Sequence, residues 1–190
     1  MNLSDEKQLL HQIKRNPELF GQLFDAYYKT IFNYIFRRVS DYDISRDIAA
    51  DTFLKAYLKV NSFVWKEISI LTWLYRIATN EVNYYFRKKK TANLTMETFA
   101  YQADKLFEFD DYLTEKHHWE NELKLNNDFA KMQQSLKKLD VKYQEVLSLR
   151  FFEKKSILEI CEILDKKEGT IKSLLSRGIE KLKIVFDTAT

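Results

Sequence analysis

The stretch TWLYRIATNEVNYYFRKKK, Thr72–Lys90, places five aromatic residues in one apparent helix and closes on four consecutive cations. At about 100° per residue, with Arg76 set at zero, Asn80, Asn83 and Arg87 fall within roughly 40° of it. Leu74, Ala78, Val82 and Tyr85 cluster on the far side, with Tyr75 and Phe86 at its edge. A helix divided in this way packs its aromatic side and turns an Arg-Asn-Asn-Arg strip outward. The donors and acceptors of that strip suit nucleic acid, and Arg87, Lys88 and the two lysines after them attract phosphate. The plainer reading of the cation run alone is a solvated helix end favoured by the helix dipole.

The rest of the chain agrees with a helical reading. Three glycines and one proline in 190 residues leave little material for hairpins, while Leu, Ile, Lys, Glu and Phe abound. The expected fold is all-α, with two small helical domains. Helical periodicity runs from about Ser4 to Lys90, with breaks at Asn16-Pro17, at Ser40–Asp43 and over 61–69, where Ser40 or Asp43 is a candidate cap. Residues 91–127 lose clear periodicity and carry three Lys against eight Asp or Glu. Their net of −5 leaves +8 elsewhere, given +3 overall. The organisation expected is therefore an N-terminal bundle over 1–90, an acidic linker over 91–127 and a second helical unit over 128–190.

Several function classes find no support. A single cysteine, Cys161, forms no intramolecular disulfide, no N-terminal stretch has signal-peptide anatomy, and no apolar run approaches the ~18 residues of a membrane span. These features point to a reducing cytosol and no membrane insertion. No cofactor is expected, and no metal, since His117-His118 lacks other likely ligands nearby. The expectation is also that the protein is not an enzyme, because no glycine-rich phosphate loop or nucleophile-base pairing is visible.

Near the C-terminus, SILEICEILDKKEGTIKSLLSRGIEKL has the outline of a helix-turn-helix. Ile157, Ile160, Cys161 and Leu164 follow i, i+3, i+4, i+7, three polar residues intervene, and a longer helix begins near Glu168. Its expected buried side is Ile171, Leu175, Ile179, Leu182 and Phe186. Lys172, Ser173, Ser176 and Arg177 fall away from that side, near the N-terminal half, where a recognition helix reaches base edges. Leu174 points toward solvent on this reading. Gly178, which costs a helix about 1 kcal/mol relative to alanine, implies a close helix contact.

EGTIKSLLSRGIEKL resembles the promoter-reading helix of the extracytoplasmic-function sigma factors, bacterial initiation subunits of RNA polymerase, whose pattern is roughly E-G-T-V-K-S-R-L-x-R-A-x-x-x-L. Glu168, Gly169, Thr170, Lys172, Ser173, Leu175, Arg177 and Leu182 match; Leu174 stands for Arg and Gly178 for Ala. SRDIAADTFLKAYLKV is similar to the family's polymerase-binding helix, A-E-D-x-x-Q-E-x-F-x-x-x-W, through Asp47, Asp51 and Phe53, with Ala50 replacing Gln. The opening stretch resembles the helix that contacts and helps melt the downstream promoter element, through Trp73, Leu74, Tyr75, Arg76, Ile77, Ala78, Asn80, Tyr85 and Arg87. The resemblance implies a region 2 type bundle and a region 4 type helix-turn-helix. It implies core RNA polymerase and promoter DNA, duplex and melted, as partners, and an anti-sigma factor as a restraining one. Thr170, Lys172, Ser173, Ser176 and Arg177 would read the upstream element.

Geometry gives the Asp47 helix two faces. Ala49, Phe53, Ala56 and Val60 form an inward stripe, while Asp47, Asp51, Leu54 and Leu58 lie opposite. Carboxylates mixed with leucines suit a protein interface, or a helix buried between neighbours with its acids at the rim. By resemblance the partner of this face is the coiled-coil clamp of the polymerase's largest catalytic subunit. The break over 61–69 holds Phe63 and Trp65. In the family this loop captures a flipped base, although the same aromatics also serve to close a core. The competing function is a stand-alone helix-turn-helix regulator with a ligand-sensing or dimerising N-terminal domain, which has no reason to display the Asp47-Asp51-Leu54-Leu58 face.

Overall fold

The computed structural model describes residues 1–65, 67–94 and 127–187, and every regular element among them is helical. The acidic segment expected to link the two units falls mainly on 95–126, outside the described residues.

Helix α1 (Leu3–Arg15) starts where Asn2 accepts from the Asp5 amide at 2.9 Å and stops before Pro17, which opens a 3-10 turn. Helix α2 (Phe20–Val39) ends on Ser40 in the left-handed region, φ 53°. Helix α3 (Tyr42–Lys59) is capped by neither expected residue. Asp41 accepts from the Ile44 amide at 3.0 Å, because the left-handed turn at Ser40 leaves Asp41 extended and one position ahead of the first turn. Helix α4 (Ile70–Leu94) carries the quoted stretch.

Helices α2, α3 and α4 pack on one another. Ile31, Ile35, Ala49, Ala56, Leu74, Ala78 and Val82 are sealed from solvent between them. The two alanines of α3 let its neighbours approach closely, so the inward stripe Ala49, Phe53, Ala56 and Val60 is wholly buried.

The second unit contains α5 (Asn127–Lys137), α6 (Val141–Leu147) with a π-helical turn over Ser148–Phe152, α7 (Ile157–Leu164) and α8 (Glu168–Asp187). A capping box starts α7: the Glu159 amide donates to Ser156 Oγ at 3.2 Å, and the Ser156 amide donates to Glu159 Oε2 at 2.8 Å. Asp165, left-handed at φ 54°, ends it, and two lysines later α8 begins. Short helix, tight turn and long helix thus form the expected helix-turn-helix.

Helix α8 differs from its sequence reading in phase. Ile171 and Leu175 are buried, but Ile179 is 47% exposed, and Gly178 takes its place in the packed face. A Cβ at Gly178 would lie 3.3 Å from Leu147, itself 1% exposed, so the glycine lets α8 settle onto α6 and rotates the packed stripe toward 171, 175, 178, 182 and 185. Leu174 is partly buried against the core rather than turned to solvent. Gly178→Val should lower stability by about 1–3 kcal/mol in chemical denaturation, despite removing a helix-interior glycine, because the branched side chain presses on the buried Leu147 and Tyr143.

Candidate functional site

Three surfaces carry the residues singled out by sequence. On α3, Leu54 is 56% and Leu58 70% exposed, with Asp47 and Asp51 half-buried beside them. Tyr57, 43% exposed, extends this apolar surface and was not anticipated. Partial burial pushes the pKa of both carboxyls up; Arg46 opposes this at Asp47 and Lys55 at Asp51. With folded values above unfolded ones, these two groups favour the folded chain most at low pH. That contribution is lost as pH rises through their raised pKa values. Burial thus makes their ionised forms costly to the folded chain.

On α4, Asn80, Arg87 and Lys88 are exposed, while Arg76 and Asn83 are half-buried. Beside Arg76 a groove of about 260 Å³ is lined by Lys59, Phe63, Thr72, Trp73 and Glu162 among others. Phe63 packs on Trp73 with ring centroids 4.6 Å apart, and Thr72 Oγ1 is buried there without a hydrogen-bond partner. Trp65 is partly buried against the core. On α8, Thr170, Lys172, Ser173, Ser176 and Arg177 are all exposed. Glu168, one turn before Lys172, accepts from its ammonium at 2.6 Å and pushes its pKa up. Cys161 is half-buried in α7, where burial raises its thiol pKa, in keeping with a packing role.

Sequence reasoning did not foresee how the second unit sits on α2 and α4. Its π-turn and α5 meet α2, and its α7 meets α4. Glu153 accepts from Arg37 Nη1 at 2.5 Å and from the Tyr75 hydroxyl; burial first and the Glu153 charge second push the Tyr75 pKa up. Asp165 lies 3.2 Å from Arg76 Nη2. Glu145 accepts from Asn83 Nδ2 at 3.0 Å, and Asn83 Oδ1 accepts from Arg38 Nη2 at 2.9 Å. Gln133 donates to the Arg37 carbonyl at 3.2 Å. Acids from one unit therefore occupy donors on the polar strip of the other.

The strip that faces outward on a helical wheel is, at Arg76 and Asn83, an intramolecular contact. The Arg76 pair is solvent-exposed and contributes little, whereas the Glu145 and Glu153 bonds are partly buried and carry the contact. Replacing Glu145 and Glu153 together with alanine should increase the radius of gyration in small-angle X-ray scattering without loss of helical circular dichroism. An unchanged radius would show that these carboxylates do not hold the units together.

Residues 23–92 match the family model for sigma-70 region 2, and residues 129–182 that for sigma-70 region 4. The chain is 32% identical to the ECF RNA polymerase sigma factor SigW of Bacillus subtilis, over 93% of this chain and 94% of that protein. It is 34% identical to the RNA polymerase sigma factor YlaC of the same organism, over 89% and 92%. Among solved structures, CnrH in complex with the cytosolic domain of CnrY covers 97% of this chain and 99% of its own at TM-score 0.68 and 19% identity. The sigma factor RpoE of Bartonella quintana in complex with the anti-sigma factor NepR covers 88% and 96% at 0.64 and 21%. Both share the fold. No helix among the described residues is long and apolar enough to cross a membrane.

Proposed function

The chain belongs to the extracytoplasmic-function sigma factors of RNA polymerase, and from that premise we propose how its surfaces divide the work of initiation. It directs RNA polymerase to promoters. The α3 face of Asp47, Asp51, Leu54 and Leu58 docks on the coiled-coil clamp of the polymerase's largest catalytic subunit, where the leucines supply affinity and the carboxylates set orientation. The observation that carries this assignment is the contrast on one helix. The inward stripe is sealed, yet two leucines opposite it stay more than half exposed beside carboxylates that burial penalises.

The α4 strip of Arg76, Asn80, Asn83, Arg87 and Lys88 engages the downstream element. A base leaving the stack enters the groove beside it, where Phe63 and Trp73 supply aromatic rings. Stacking on such rings returns about 1–3 kcal/mol per base, the scale of the unstacking cost. Trp65 supports this loop from the core side. The exposed residues of α8, Thr170, Lys172, Ser173, Ser176 and Arg177, read the upstream element in the major groove.

The protein works without catalysing a reaction of its own, and its place is the cytoplasm, where the polymerase acts. RpoE of Bartonella quintana was solved with an anti-sigma factor, and a restraining partner of that class suits the exposed apolar face of α3 here.

In run-off transcription over a promoter library, core polymerase with this chain should select a defined promoter class, while the chain alone should bind the selected duplex weakly. Asp51→Arg should abolish association with core polymerase, measured by gel filtration or fluorescence anisotropy. Asp51→Asn should weaken it by about tenfold or more and leave the thermal midpoint of the free chain at neutral pH unchanged or higher. Full core affinity in Asp51→Arg would remove α3 from the interface.

A further inference from the structure

Helix α1 lies ahead of the region 2 match, which begins at residue 23, and its residues lie outside the three surfaces described above. Its apolar side reads Glu6, Leu9, Leu10, Ile13, at i, i+3, i+4, i+7, with a carboxylate where an apolar side chain is expected. Glu6 is 3% exposed. Its Oε1 accepts from Ser69 Oγ at 2.8 Å and from the Tyr27 hydroxyl, and its Oε2 accepts from the Ile70 amide at 2.7 Å. Ser69 Oγ in turn accepts from the Leu71 amide at 3.2 Å. Glu6 is thus an N-terminal cap for α4 delivered from another helix: a carboxylate at the positive end of the dipole that ties down amides with no partner inside the helix. Burial, and then the neighbouring Glu6, push the Tyr27 pKa up, so that hydroxyl remains a donor.

Two turns further along α1, Lys14 Nζ donates to the Phe63 carbonyl at 2.8 Å. Glu6 and Lys14 are eight residues apart, about 12 Å along the helix axis. One helix therefore holds the segment between α3 and α4 at two points: at Phe63, whose ring packs at a tilt on Trp73, and at Ser69-Ile70, where α4 begins.

We infer that α1 is a brace that presets the base-capture groove, with Glu6 and Lys14 as positioning residues for promoter opening. This rests on the reading of that groove as the site of the flipped base. A loop held in its receiving shape before the base arrives does not have to be ordered at the moment of capture, so the brace acts on opening rather than on docking.

The test uses holoenzyme reconstituted with full-length chain carrying Glu6→Gln, Lys14→Met, Lys14→Arg or Phe63→Ala. Core affinity is measured alongside opening, followed by 2-aminopurine fluorescence in the downstream element, on duplex promoter and on a promoter already unpaired there. Glu6→Gln and Lys14→Met should slow opening of the duplex about tenfold, the scale of one charge-assisted hydrogen bond, with core affinity unchanged. Lys14→Arg, which keeps a donor, should restore most of the rate, and the pre-opened promoter should shrink the defect. If Phe63→Ala slows opening but Glu6→Gln and Lys14→Met do not, the brace is refuted and the groove stands. If Phe63→Ala has no effect either, the groove reading itself fails. Should Glu6→Gln lose core affinity through misfolding, the surface pair Lys14→Met and Lys14→Arg decides the question.

Discussion

A guanidinium with 1% exposure sets the terms for much of this molecule. Arg38, in the last turn of α2, donates to the Tyr34 hydroxyl at 3.1 Å and to Asn83 at 2.9 Å; Tyr34 meets Thr79 at 2.7 Å, and Asn83 reaches Glu145 at 3.0 Å. A charge cannot stay buried without compensation. Arg38 finds it through a chain of polar groups that runs from α2 across α4 into the second unit, and Nε is left without a partner. The chain fixes the spacing of α2 and α4 and the amide orientation of Asn83. It also makes the position of Glu145 matter to a charge in the other unit.

This arrangement explains why the two kinds of surface look so different. The α3 face is left wanting, with exposed leucines and carboxylates disfavoured by burial. The α4 strip is partly satisfied within the chain. Arg76 has Asp165 and Asn83 has Glu145, so an acid of the second unit already engages each. Under the proposed assignment, DNA displaces groups already bonded, whereas a protein docking on α3 meets a surface that is still open.

How much of this was legible in sequence followed from how local each cause is. The helices, the helix-turn-helix and the two faces of α3 depend on periodicity within one element, and the wheel drawn through Arg76 separates the buried from the exposed side of α4 correctly at Leu74, Ala78 and Val82. Where a cause lies in a second element, the reading slipped. Ile179 was expected in the packed face because spacing alone does not show that Gly178 lets Leu147 approach. Ser40 and Asp43 were both plausible caps; the left-handed turn that chose Asp41 is a property of the chain path. Glu6 did leave a trace, a carboxylate in an apolar stripe. Glu145 and Glu153 left less, since acids in a charged helical protein attract no notice until a partner 62 or 78 residues away is seen.

The thermodynamic order of events follows from which contacts compete. A ligand shifts an equilibrium only by its differential affinity for the two states. Leu54 and Leu58 are exposed with the units together, so binding at α3 alone gives no preference for a separated chain. Separation is favoured only by contacts that the packed arrangement forbids, such as those made by Arg76 and Asn83 once Asp165 and Glu145 have left. Under the proposed assignment, polymerase can engage this chain while the strip is still covered. The free energy that uncovers the strip comes instead from holding both units at their separate places on polymerase and DNA, where tethering raises the effective concentration of each weak contact. Weak promoter binding by the free chain and strong binding in the holoenzyme are then two consequences of one set of carboxylates.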